Sequence, residues 1–144
     1  MKTYKMKFML FGMLFLAPTI LSAQTEDNGK RSSINRGDEV FVVVEQNPEF
    51  PGGEEARLKF LRKHINYPRI AKEKGIQGIV VVGFIIEKDG SITNVIIVRG
   101  KDPSLDEEAL RIVKLMPKWK PAMQKGKPVR CTLTMPITFK LEYI

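Results

Sequence analysis

The sequence predicts an α+β fold: a small, at least partly antiparallel sheet with two main helices packed on one face. Three observations predict it. From Val129 to Lys140 the residues alternate strictly, with Val129, Cys131, Leu133, Met135, Ile137 and Phe139 on one side and Arg130, Thr132, Thr134, Pro136, Thr138 and Lys140 on the other. That period of two marks a half-buried strand. Two further β-rich runs, Ile76–Ile86 and Ile92–Arg99, are joined by Glu87-Lys88-Asp89-Gly90, a turn short enough to make them an antiparallel hairpin. Two other stretches repeat apolar residues at helical spacing: Ala56, Phe60, Leu61 and Ile65, then Leu105, Ala109, Ile112, Val113 and Met116. The order is β, α, short α, β-hairpin, α, β, which lays helices on one side of a small sheet.

The chain has 144 residues, enough for one domain. Its first residues read as a segment removed before folding. Lys2, Lys5 and Lys7 precede an apolar run from Phe8 to Leu21, followed by Ser22-Ala23-Gln24. A basic start, a short apolar core and a small-residue exit describe a secretory signal peptide, cleaved after Ala23. The run has 14 residues and contains Pro18, whereas a membrane span needs about 20 apolar residues. Retention as a membrane anchor is the competing reading. Residues 24–39 are polar, with Ile34 the only large apolar residue before position 39, and read as a disordered lead segment. Residues 40–144 form the folded domain.

Loss of residues 1–23 would remove three lysines and no acid, taking the formal charge from +8 to +5. An exported and only moderately basic chain, without a platform of aromatic and basic residues, is a poor nucleic-acid binder. The single cysteine, Cys131, cannot close an internal disulfide, and its apolar-side position predicts a buried, inert thiol.

Val40–Glu45 is a short β-rich run, broken by Pro48, Pro51, Gly52 and Gly53. The first main helix begins there, with Glu54 and Glu55 in its first turn and Arg62, Lys63 and His64 near its end, each suited to the helix dipole. Pro68 suits the first position of a short helix, Arg69–Lys74, stopped by Gly75. In the central run, Val80, Val82, Phe84 and Ile86 share one face. Ile79, Val81 and Ile85 share the other, a face apolar enough to be either covered by chain or used in association. Asp102-Pro103-Ser104-Leu105 opens the second main helix, where Ser104 and Glu107 have capping-box spacing, and Pro117 ends it. Lys118–Pro128 reads as a basic loop in which Trp119 caps the core and four lysines form a lip beside the last strand.

That last strand carries Pro136, which has no N–H and does not fit a ladder bonded on both sides. It is expected at a sheet edge, protected or free to pair with another chain. Catalytic chemistry finds no support. His64 is the only histidine and has no partner at ligand or triad spacing. The Gly52-Gly53 pair is followed by Glu54-Glu55, which would repel a phosphate. The acids at 54, 55, 106, 107 and 108 are explained as helix-start residues. No enzyme, cofactor or metal site is expected.

Pro48-Glu-Phe-Pro-Gly-Gly-Glu54, Tyr67-Pro68, Lys88-Asp-Gly90, Leu105-Asp-Glu-Glu-Ala-Leu110, Met116-Pro-Lys-Trp-Lys-Pro121, Gly126-Lys-Pro-Val129 and Met135-Pro-Ile-Thr-Phe139 occur in this order. The set, covering about residues 40–142, resembles the TonB C-terminal domain in the form common among Bacteroidetes. The resemblance implies a module of Gram-negative envelope energy transducers. Such a domain meets outer-membrane TonB-dependent transporters and takes up their TonB box as a strand beside its last strand. Carried over, the partner-binding residues are Val129, Arg130, Cys131, Thr132, Leu133, Thr134, Met135, Pro136, Ile137 and Thr138, with Tyr67 and Pro68 near the transporter contact.

Two departures from the family stand out: residues 8–21 hold no histidine, and no long Pro-rich spacer is present. The leading expectation is therefore a periplasmic TonB-type binding module linked to energy-coupled transport. One alternative is an inner-membrane-anchored transducer, engaging a proton-driven motor if its N-terminus is retained. Another is a secreted domain bound to a different envelope partner such as peptidoglycan. The resemblance also allows homodimers.

Overall fold

The computed structural model describes residues 39–143, so the leader expected at 1–23 and the lead segment up to residue 38 lie outside the described residues. Nine elements follow: β1 (Val40–Phe41), α1 (Gly53–His64), α2 (Arg69–Glu73), β2 (Gly78–Ile86), β3 (Ile92–Arg99), α3 (Pro103–Leu115), β4 (Ala122–Gln124), β5 (Lys127–Phe139) and a closing 3-10 turn, Leu141–Tyr143. The expected order holds, with one addition. The basic loop at 118–128 contains a short strand, β4, that returns on β5 as a hairpin. The β-rich run from Val40 shrinks to two residues, because Val42 and Val43 leave the sheet and stand exposed.

The sheet runs β1-β5-β2-β3, with β4 also on β5. β2 is central, antiparallel to both neighbours. β2 and β5 pair at nine consecutive positions, from Gly78↔Phe139 to Ile86↔Cys131, without a slip. The β2–β3 ladder slips twice, between Val81 and Val82 and between Gly83 and Ile85. Extra residues on β3, among them Asn94 at φ 50°, take up the difference. Among the described strands β1 alone is parallel to its neighbour, with Val40 opposite Arg130 and Phe41 opposite Cys131.

All three helices serve one face. Val80, Val82, Phe84 and Ile86 of β2 meet Leu105, Ala109, Ile112 and Val113 of α3 and Met116 just after it, and Met135, Ile137 and Phe139 of β5 complete the core. α1 contributes Leu61 fully and Ala56 and Phe60 in part, joined by Ile65 just after it, while Leu58 is exposed. Trp119 caps this core as expected, edge-on to Phe50 and Phe84 with centroids 5.6 and 5.9 Å away. Its backbone N–H donates to Gly90 O at 2.8 Å, tying the segment leading into β4 to the tip of the β2–β3 hairpin. Gly90 has φ +87°, and a Cβ there would lie 1.8 Å from Trp119 O, so only glycine admits this contact.

One local expectation is corrected. The cap of α3 is Asp102, whose Oδ1 accepts from Ser104 N at 3.0 Å and from the Ser104 hydroxyl. Ser104 is thus already inside the helix that Pro103 opens. Asp106 turns back to accept from Lys101 N at 2.9 Å. The capping-box spacing of Ser104 and Glu107 was a coincidence of sequence.

Candidate functional site: the open flank of the last strand

β5 is the longest strand, 13 residues. Its inward residues Cys131, Met135, Ile137 and Phe139 are buried, and its outward residues Thr134, Pro136 and Thr138 are exposed. Along one flank, β2 covers 131–139 and β4 covers 127–129. Along the other, β1 touches only Arg130 and Cys131. From Thr132 to Phe139 that second flank has no strand beside it among the described residues. The expected edge strand is therefore internal at 130–131 and open beyond. Pro136 sits in the open part, opposite Val81 of β2.

This layout divides the residues singled out from sequence. Thr132, Leu133, Thr134, Met135, Pro136, Ile137 and Thr138 line the open flank. Val129 is paired with Ala122, while Arg130 and Cys131 are held by β1, so these three offer no open backbone. Arg130 instead binds across the sheet: its Nε donates to Glu87 Oε2 at 2.7 Å and its second guanidinium arm to Oε1 at 3.1 Å, while Thr93 also donates to Glu87. Arg130, with this fork and the Thr93 bond, holds the Glu87 carboxyl below its ordinary value against the opposing effect of burial. Burial raises the Cys131 thiol, in keeping with an inert side chain.

Of Tyr67 and Pro68, Tyr67 alone is seen against the end of β5. The Tyr67 ring stands edge-on to Phe139 at the end of β5, with centroids 5.8 Å apart, and its hydroxyl donates to Ile76 O. Pro68 caps α2. Sequence reasoning missed what holds this segment. Glu108, only 8 % exposed, accepts from Asn66 N at 2.8 Å and from Arg111, and Arg111 also donates to His64 O at 2.7 Å. By sequence Glu108 reads as a helix-start acid. The missed signal was its place one residue before Ala109, beside the buried stripe of α3. His64, with Nδ1 2.9 Å from Phe60 O and its ring stacked on Phe60 at 4.1 Å, is a packing residue.

A broad hollow of about 620 Å³ lies where the end of β5 meets the start of β2, between Gln77, Ile79, Thr138, Lys140 and Glu142. Gln77 closes the chain there by accepting from Leu141 N at 3.0 Å. Among the described residues, no three His, Cys, Asp or Glu side chains are grouped to hold a metal, and no helix is long and apolar enough to cross a membrane. What the arrangement provides is a row of backbone donors and acceptors on a rigid strand.

Residues 63–141 match the family described as Gram-negative bacterial TonB protein C-terminal. The chain is 35% identical over 77 residues to Protein TonB of Vibrio cholerae, covering 53% of this chain and 31% of that protein. It therefore spans about a third of that relative's length. Among solved structures it is similar to the Helicobacter pylori TonB-CTD, with 28% identity, 61% of this chain and 92% of that chain covered, and a TM-score of 0.46. It is also similar to the Pseudomonas aeruginosa TonB CTD, with 30% identity, 54% and 78% covered, and a TM-score of 0.43.

Proposed function

Because this chain belongs to the TonB C-terminal family of Gram-negative bacteria, we propose that it is a periplasmic binding module that captures an extended segment of an outer-membrane transporter. The segment, the transporter's TonB box, adds as a strand along β5. The observation that carries this reading is the unpaired flank from Thr132 to Phe139. A strand added there gains backbone hydrogen bonds with little demand on its sequence. Met135 and Ile137 point into the core and are buried, so recognition by side chains falls to Thr134, Pro136 and Thr138 on the outer face and to the hollow at the strand's end. Tyr67 supports the end of the strand through Phe139. Linkage to energy-coupled transport follows from the same capture if the N-terminal part of the chain remains tethered.

The test uses peptides copying the TonB boxes of outer-membrane transporters from the same organism, titrated calorimetrically into the protein. Thr134→Pro removes a donor from the strand while the core side chains stay in place. Binding should weaken at least about tenfold, as expected for a lost bond plus a misshapen edge, with the urea midpoint nearly unchanged. A folded Thr134→Pro protein that binds as well as the parent would remove β5 as the site.

A further inference from the structure

We infer that Pro136 sets the register of the strand added along β5, by presenting a gap in the row of donors on the open flank. This rests on the strand-addition reading above. The orientation of the backbone follows from the hairpin. β4 and β5 are joined by Lys125-Gly126, both with positive φ, 49° and 72°, and the flanking pair is Gln124↔Lys127. In a two-residue hairpin this closing pair exchanges both its N–H and its C=O, and the direction alternates residue by residue after it. The N–H and C=O groups of Lys127 and Val129 therefore point to β4, and those of Pro128 and Arg130 point the other way. β5 pairs with β2 without a slip from Cys131 to Phe139, so the alternation continues to the end of the strand.

Odd-numbered residues thus bond to the β4 and β2 flank. Even-numbered residues face the flank where β1 meets Arg130. The prolines agree independently. Pro128 and Pro136 are both even, so neither missing donor interrupts the ladders to β4 or β2. The contact of Trp119 N with Gly90 O places the segment leading into β4 at the end of the β2–β3 hairpin, as the shared flank requires.

Beyond β1, whose Phe41 opposite Cys131 already takes the Thr132 N–H in a parallel ladder, the open flank offers the C=O of Thr132, both groups of Thr134 and Thr138, but only the C=O of Pro136. An added strand can follow β5 for about seven residues before it meets the turn at Leu141. One carbonyl of that strand, the one facing Pro136, finds no donor. Sliding the strand by two residues moves a different carbonyl over the gap. The preferred register puts there the carbonyl least costly to leave in water, or one already turned away by a bend. Pro136 is in this sense a specificity-determining residue: it acts on the partner's backbone, not on its side chains.

The experiment uses the TonB-box peptide that binds the parent protein, remade with single amide-to-ester replacements along its length. Each replacement weakens one carbonyl as an acceptor, and where that carbonyl faces β5 the removed N–H points away from it. With the parent protein, one β5-facing carbonyl should be silent while its neighbours two residues away each lose roughly two- to tenfold in affinity, the worth of one hydrogen bond. With Pro136→Ala the silent position should become sensitive, and the all-amide peptide should bind roughly two- to tenfold tighter. Equal sensitivity of all β5-facing carbonyls in the parent protein would overturn the inference, and that result needs no variant to fold. An unchanged ester profile in a folded Pro136→Ala protein would overturn it as well. If Thr134→Pro weakens binding while either of these results is obtained, strand addition stands and the register claim alone falls. If Thr134→Pro has no effect, both fall.

Discussion

Glu87 lies where the three principal strands meet, receiving Arg130 from β5 and Thr93 from β3. Its carboxyl and the Arg130 side chain are each 22 % exposed, dry enough for a forked ion pair to matter. The sign of its pH dependence follows from the lowered folded-state value. The bond is present above the ordinary value of 4.5 and is lost as pH falls through the lower folded value. Glu87→Gln should therefore destabilise the domain at pH 7. The difference from the parent should shrink progressively below pH 4.5, when thermal unfolding is followed from pH 7 to pH 2.5. A constant difference across that range would mean that shape, not charge, accounts for the loss. This pairing was not legible in sequence, because Glu87 reads as a turn residue and Arg130 as an outward strand residue 43 positions away. Glu108 is hidden for a related reason: an acid near the start of a helix is expected in water, and only packing against the Asn66 segment makes this one, further in than Asp106, a buried anchor.

At the scale of elements, the β4–β5 hairpin is the feature sequence reasoning passed over. Its turn needs positive φ at both central positions, and lysine occupies the first of them. Asn is favoured there and Lys is not. Lys125→Asn should raise the unfolding free energy by about 0.5–1 kcal/mol, read as a higher urea midpoint at unchanged slope. No gain would mean that the turn is held by its other contacts, chiefly the bond from Lys125 N to Glu45. The hairpin was hidden because β4 is three residues long, Ala-Met-Gln, with no alternation to see. By contrast, β5 announces itself through a period of 2, the two long helices through a period of 3.6, and β2 and β3 through β-rich runs joined by a tight turn.

Over the whole molecule, the two faces of the sheet are unequal. Phe84 is 2 % exposed against α3 and Trp119, whereas Ile96 on the opposite face is 58 % exposed. Ile79 and Val98 share that outer face, and no described element covers it. Phe84→Ala should cost about 3–5 kcal/mol through the cavity it leaves. Ile96→Thr should cost less than about 1 kcal/mol, since Thr keeps the β preference and the side chain is already wet. Comparable losses for the two in urea unfolding would mean that the outer face is buried in solution, by another copy or another chain.

The sequence by itself determined where the long strands and helices lie, which face of each is apolar, and that Pro136 could not sit in a ladder bonded on both sides. Those properties are local: they depend on the period of side chains along one segment and on the chemistry of one ring. Tertiary structure alone decided which flank of β5 is taken and how far. Two residues of β1 close the flank at Arg130 and Cys131, β4 extends the line of β2, and the seven residues from Thr132 to Thr138 remain open. Strand neighbours come from distant parts of the chain and bond through the backbone, which every residue type shares, so no pattern of side chains records who lies beside whom.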